Sequence, residues 1–406
     1  MRLLVRRIVW LVCAAFVTNA WCRGHPVEGT LHRRNYFYVG GSFIQQSGAN
    51  GTVVHGQMYV EYLVPAKVTK PYPLLFIEGM GMTGTNILNT PDGRLGWADY
   101  FMSKGYELYI VDQPARARSP WIQGVDGMQT VFNVKHVESL FTAVERYKIW
   151  SQAHLHTQWP GNGSFGDPTY DQFYKSMHPA LKSSVETSNL ILSAGSKLIK
   201  SIGVRHGIDL RNGNRLTQNS SSQDVILLTH SQSGPFGWTL GDANPSKVKA
   251  IVALEPTGPP FGEAVFSTVL DRPYGITTIP VIYDPPLLRP SDLRKVVDSF
   301  DSSANYTCYK QAEPARKLAN LSKFPIFMIT SQSSYHAVYD GCTAQFLAQA
   351  GVDVQHVRLE DIGIYGNGHM MFMEKNNIEV ADVVLRWLDR TFEHHAAALS
   401  LNTINV

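Results

Sequence analysis

A series of short apolar runs punctuates the chain: Pro73–Glu78, Tyr106–Asp112, Asp224–Thr229, Val248–Leu254, Pro325–Thr330 and Val352–Leu359. Runs so nearly continuous suit strands covered on both faces, which a mostly parallel sheet with helices on each side provides. Two further strand-like segments, Asn35–Ile44 and Gln57–Pro65, are joined by the turn-rich Gln46–Gly51 and add an opening meander, for an eight-stranded α/β sheet in all. Trp97–Lys104 has helical character and is stopped by Gly105, while Ile378, Ala381, Val384, Leu385 and Leu388 recur at the spacing of a closing amphipathic helix. No internal repeat or low-complexity tract interrupts the pattern.

Two intervals are too long for simple crossovers. After Gln113 a helical stretch near Val131–Trp150 leads into Gly-, Pro-, His- and aromatic-rich sequence, and Pro256–Phe324 is Pro-rich. Long segments in a compact domain usually carry function. They are expected to be lids, at about residues 150–190 and 256–323, over a single domain spanning 23–406. A length of 406 residues, 44% apolar and 17% charged, accommodates that arrangement.

The formal charge of +3 belongs to the first residues. Met1–Cys22 carries Arg2, Arg6 and Arg7, then the apolar run Ile8–Val17, then small residues, which is the layout of a secretory signal peptide; an uncleaved anchor is the alternative. Without those arginines the basic side chains match the 33 acidic ones, so nothing marks a nucleic-acid-binding surface. The apolar run is short for a membrane span, and no second one follows. Cleavage after Ala20 or Cys22 fits the pattern. The second leaves Cys308 and Cys342 as a pair for a disulfide in an oxidising compartment. Asn50, Asn162, Asn219, Asn305 and Asn320 open Asn-x-Ser/Thr sequons, as in a secreted glycoprotein.

The sharpest local signal is Thr229-His-Ser-Gln-Ser-Gly234, directly after Val225-Ile-Leu-Leu. A serine flanked at two positions by small residues, between strand and helix, forms a nucleophile elbow. Ser231 fits the spacing; for its rival Ser233, Pro235 would fall at a flanking position. A serine hydroxyl needs a base and a group that orients the base. Glu255 ends the strand after the elbow, and His369 lies in Tyr365-Gly-Asn-Gly-His-Met-Met before the last helix, which completes the chain order serine, acid, histidine. Gln232 N–H and an amide of Glu78-Gly-Met-Gly-Met-Thr-Gly84, with Met80 the choice, would form the oxyanion hole. Met82, Phe236, Trp238 and Met370 flank these positions and are expected to line an apolar pocket.

Gly79, Gly81 and Gly84 also spell a dinucleotide fingerprint, with Asp112 as a ribose ligand, and so offer an oxidoreductase reading. Asn89-Thr-Pro-Asp-Gly93 interrupts the helix that this reading needs. His154 and His156 form a His-x-His pair without an evident third ligand, so no metal is expected.

Taken together, Glu78-Gly-Met-Gly-Met-Thr-Gly-Thr-Asn86, Thr90-Pro-Asp-Gly-Arg-Leu-Gly-Trp-Ala-Asp-Tyr100, Val111-Asp-Gln-Pro-Ala-Arg-Ala-Arg-Ser119, Thr229–Gly234, Leu254-Glu-Pro256 and Gly368-His-Met-Met371 resemble the α/β-hydrolase superfamily. The resemblance is to secreted bacterial and fungal esterase-like hydrolases whose acid follows the strand after the elbow. It implies a Ser231–His369–Glu255 triad, donors at Met80 and Gln232, no cofactor, and a small-molecule ester as substrate. Such loops commonly begin His-Gly; here Glu78 replaces the histidine. An acyltransferase, a lactone-forming enzyme, a C–C hydrolase or a non-catalytic binding protein on the same fold stays open at this level.

Overall fold

The computed structural model describes residues 29–46, 51–205, 208–209, 223–302 and 305–402. The expected signal peptide, Asn50 and Asn219 lie outside them. Eight strands form one sheet: β1 (His32–Gln45), β2 (Thr52–Pro65), β3 (Leu74–Ile77), β4 (Leu108–Asp112), β5 (Val225–His230), β6 (Val248–Leu254), β7 (Ile326–Thr330) and β8 (Val354–Arg358). Their spatial order is β1-β2-β4-β3-β5-β6-β7-β8. β2 pairs antiparallel with β1 and β4, and β4 through β8 are joined by parallel pairings. From β3 the chain passes first to β4 on one side and later to β5 on the other. This reversal opens a crevice beyond the carboxyl ends of β3 and β5, where sheets of this kind bind ligands.

Alternation along the strands separates two cores. Leu74, Phe76, Ile226, Leu228, Val252 and Leu254 face one cluster, while Leu75, Ile77, Val225, Leu227, Ile251 and Ala253 face the other. The first face is covered by α1 (Trp97–Ser103) and the closing helix. The second is covered by the crossover helix Ser184–Ser201, by the helix after the elbow and by Asp340–Gln349. In chain order the remaining helices of eight residues or more among the described residues are α2 (Pro168–Lys175), α3 (Ser184–Ser201), α4 (Ser233–Ala243), α5 (Asp340–Gln349) and α6 (Asn377–Asn402).

Three local expectations are corrected. The β1–β2 hairpin is longer than the alternation suggested: pairing keeps one register from His32↔Pro65 to Gln45↔Thr52, past Gly40, Gly41 and Gly56 at positive φ. The stretch near Val131–Trp150 is not one helix: short turns at Val134–Val137 and Val144–Tyr147 flank a π turn at Glu138–Thr142, and Lys148 at φ 50° ends it. That turn directs Leu140 and Phe141 into the core. In α6, Val380 and Trp387 join Ala381, Val384 and Leu388 in the core, whereas Ile378 is exposed.

Cys308 and Cys342 are bonded, joining the hairpin Lys295–Asp301/Tyr306–Gln311 to α5 across a separation of 34 residues. Closing a loop of that length restricts the unfolded chain by about 3–4 kcal/mol. Replacing both cysteines by serine is therefore expected to lower unfolding stability by about that amount, measured by urea denaturation against the oxidised protein.

Candidate active site

At the switch point, β5 ends in His230 and the chain turns at Ser231 into α4. Ser231 has φ 56°, a conformation that L residues rarely hold, and its side chain is only half buried. The tightness explains the small neighbours. A Cβ on Gly79 would lie 2.9 Å from His230 Nδ1 and 3.2 Å from Ser231 Cβ, and one on Gly234 would lie 2.3 Å from Pro256 Cβ. Ser233, in place of a flanking glycine, turns its hydroxyl inward, accepting from His230 N–H at 2.8 Å and donating to the Ile77 carbonyl at 2.6 Å. The Ser233 hydroxyl is thus committed to the turn.

Glu255 follows β6 at φ 45° and is fully buried. Its Oε1 accepts Ser331 N–H at 2.7 Å; its Oε2 accepts the Ser334 hydroxyl at 2.7 Å and His369 Nδ1–H at 2.5 Å. Burial pushes the carboxyl up, with Asp340 adding to the effect, while the serine donors favour the charged form. His369 is also fully buried, and burial, then His230 and His336, hold its basicity well below the usual imidazole range. Its ring is stacked against His336 with centroids 4.8 Å apart and against Phe141 at 5.4 Å. His230 Nε2–H donates to the His369 carbonyl at 3.0 Å, and burial depresses its own pKa to about 3, so it serves as a neutral prop. The His369 loop is tied down from behind. Glu374 accepts Gly368 N–H at 2.9 Å and Asn367 Nδ2–H at 2.7 Å, and its Oε1 accepts His156 Nε2–H at 2.8 Å.

The loop after β3 brings Glu78–Gly84 to the same crevice. The amides of Met80 and Gln232 have no backbone acceptor among the described residues. Both flanks of this region are gripped by Arg116, which is fully buried and donates to the Gly79 carbonyl at 2.8 Å and to Gln232 Oε1 at 3.1 Å. Glu78 fixes the loop's entry: its Oε1 accepts Gln113 N–H at 2.6 Å, and Gln113 Nε2–H donates back to the Glu78 carbonyl at 2.7 Å. Burial pushes the Glu78 carboxyl up to about 8, despite Arg116 nearby, so near neutral pH it mostly carries a proton.

Other expectations separate here. Met82 and Met370 are buried in the cluster on the α6 face, whereas Phe236 and Trp238 belong to the opposite core beneath α4. The last two are core residues, because α4 is covered on every side. The dinucleotide reading loses its ligands. Only the single turn Thr85–Leu88 follows Gly84, and the Asp112 carboxylate holds Gly84 N–H at 2.8 Å and Arg118 Nε at 2.7 Å. The His154/His156 pair splits. His154 is exposed, while His156 lies buried between Glu145 and Glu374; burial would lower its pKa, but the two hydrogen bonds outweigh it and raise the value to about 9. Glu255, His336 and His369 have ligand atoms within 4.8 Å of one another, as a cation site would require. Their protein partners already fill that role, however: His336 Nδ1–H donates to Asp340 at 2.9 Å and its Nε2 accepts from Tyr339 at 3.1 Å.

No family model matches the chain. Among curated proteins, it is 43% identical over 357 residues to the "Probable secreted lipase phiG" of Fungal sp. (strain ATCC 74256), covering 88% of this chain and 89% of that protein. A bacterial esterase solved at atomic resolution superposes with a TM-score of 0.58 at 22% identity, over 91% of this chain and 99% of its own, and shares the fold. With an eight-stranded, largely parallel sheet and a relative this similar along most of both chains, the protein belongs to the α/β-hydrolase family of secreted lipases and esterases.

Proposed function

We propose that the protein is an exported serine hydrolase that cleaves a carboxylic ester of a largely apolar small molecule through an acyl-enzyme. The observation that carries this reading is the buried His369–Glu255 pair, 2.5 Å apart, at the crevice where a part-buried serine is held at φ 56°. Ser231 attacks the acyl carbon, His369 accepts the proton from the nucleophile, and Glu255 steadies the resulting imidazolium. The carbonyl oxygen gains charge facing the Met80 and Gln232 amides. Water then attacks the acyl-enzyme by the same route in reverse.

An apolar substrate is supported by the rim, where Phe266, 45% exposed, packs edge-on against Trp150 and Tyr335. The two long insertions act as lids, and they contribute Trp150 and Phe266. Export agrees with the leader-like Met1–Cys22, with the disulfide, and with the secreted relative. No helix among the described residues is long and apolar enough to cross a membrane. Asn162 and Asn305 are exposed and suited to carry glycans, whereas the Asn320 amide donates to the Asp242 carbonyl.

Ser231→Ala is expected to abolish labelling by a fluorophosphonate probe and to lower kcat on the order of 10⁴-fold or more; labelling that survives the substitution refutes the nucleophile assignment. Because the neutral imidazole is the active form and burial lowers the His369 pKa, kcat/KM should hold through neutral pH and fall only well below pH 6.5. A pH–rate profile whose acidic limb sits above 7 contradicts that. Arg116→Lys removes the fork that spans Gly79 and Gln232. Steady-state kinetics should then show kcat reduced about 10²-fold with KM nearly unchanged, the range for a disturbed oxyanion donor.

A further inference from the structure

The first insertion, which brings Trp150 to the rim, also grips the loop that carries the base. Thr157 and Gln158 N–H donate to the Gly366 carbonyl at 3.0 and 3.2 Å, and Lys375 N–H donates back to the Gln158 carbonyl at 2.8 Å. The Lys375 ammonium reaches the Thr157 carbonyl at 2.8 Å. Residues 157–158 and 366–375 are thereby laced together, and buried His156 stands at the inner end of the lacing. Its ring lies so close to the backbone before the base that a Cβ on Gly368 would be 2.9 Å from His156 Nε2.

Donor accounting fixes the charge of that ring. Its two nitrogens face different carboxylates, Glu145 at 3.2 Å and Glu374 at 2.8 Å. Carboxylates only accept, so both nitrogens must donate, and only the imidazolium has two N–H groups. Burial raises the Glu145 pKa, but the His156 hydrogen bond outweighs it and leaves this carboxyl below its usual range, hence ionised. Glu374 is fully buried, and its other donors, Gly368 N–H and Asn367 Nδ2–H, are neutral. The charged groups nearby are engaged elsewhere. Arg146 lies 3.7 Å from Glu145, Lys375 serves the Thr157 carbonyl, and Arg94 donates to the carbonyls of Met373, Glu374 and Lys375 and to Asn377 Oδ1. His154, two residues before His156, is exposed. Among the described residues, His156 is the cation paired with the Glu374 carboxylate.

We propose that the His156 imidazolium is a positioning residue for the base, holding Glu374 and, through it, the Gly368–His369 segment in place, a reading that rests on the serine-hydrolase assignment above. While His156 carries its second proton, the Glu374 carboxylate is compensated and accepts Gly368 N–H, which fixes the backbone one residue before His369. When that proton is lost, one ring nitrogen turns a lone pair on a carboxylate and Glu374 becomes a buried anion with neutral donors alone. The grip on the loop then slackens. The direction of the pH effect follows. Burial lowers the His156 pKa, but the hydrogen bonds to Glu145 and Glu374 outweigh it and raise the value to about 9. A histidine in the unfolded chain titrates near ~6.5. The contribution is therefore whole below about 6.5 and is lost as pH rises through about 9, so turnover has an alkaline limit set outside the triad.

The test follows kcat and KM for p-nitrophenyl butyrate from neutral pH to about pH 10 in the wild type, His156→Gln and Glu145→Gln. Near-ultraviolet circular dichroism at each pH and fluorophosphonate labelling of Ser231 at neutral pH accompany the kinetics. Wild-type kcat should fall about 10-fold as pH rises through about 9, with KM within about twofold and the circular dichroism native, because a displacement of about 1 Å can already cost about 10²-fold. His156→Gln, with no such proton to lose, should show the lower kcat at neutral pH already and no alkaline limb. Glu145→Gln takes one carboxylate from the imidazolium and should move the limb about one pH unit lower, the small end of a neighbouring charge's effect. A side chain that only filled space would leave the limb where it was. A level wild-type kcat up to about pH 10, or a fall that coincides with loss of the native circular dichroism, overturns the proposal even if His156→Gln does not fold. A limb that persists in His156→Gln, or stays in place in Glu145→Gln, overturns it as well. Failure of the wild type to label at Ser231 removes the serine-hydrolase reading itself, whereas labelling with a level wild-type profile removes the role of His156 alone.

Discussion

Burying the Glu255 carboxylate is the constraint around which the crevice is organised. A carboxylate removed from water loses several kcal/mol of solvation unless its lone pairs are filled. Here the donors come from two separate places: the turn after β7 gives Ser331 and Ser334, and the loop before α6 gives His369. Both must converge on the end of β6, and the adjacency of β6 and β7 in the sheet makes that convergence possible. The demand then propagates. His369 can occupy its place only if its own loop is held, and Glu374 does this from below. Glu374 is buried in turn and is compensated by the His156 imidazolium, which Glu145 also faces.

The framework was legible because its signals are local. Runs such as Val225–Leu228 and Ile251–Leu254 are apolar at every position, which is what a strand covered on both faces requires. Ser231, Glu255 and His369 were chosen as candidates from strand ends, small neighbours and chain order, and the structure brings Glu255 and His369 into hydrogen-bond contact. What escaped was set by other parts of the chain. Nothing in Ser331-Gln-Ser-Ser-Tyr-His marks it as an active-site wall; its importance comes from the register of β7 beside β6. Arg116 likewise gains its role only when the β3 loop and the elbow are brought to either side of it. Phe236 and Trp238 were misplaced because α4 is buried all round, so its sequence carries no periodicity to show which face meets the crevice.

Glu78 stands where loops of this resemblance commonly begin with histidine, and its buried carboxyl tethers the loop by accepting the Gln113 amide. Burial raises its pKa, an effect opposed by the Arg116 guanidinium 3.6 Å from Glu78 Oε1.

The disulfide has a reach beyond the hairpin it anchors. Cys342 lies in the first turns of α5, two residues after Asp340, and Asp340 holds the His336 ring that stacks on His369. A covalent strut at the periphery is thus three contacts removed from the base. A chain retained in the reducing interior of a cell would fold without that strut, and its crevice wall would be the part left loose.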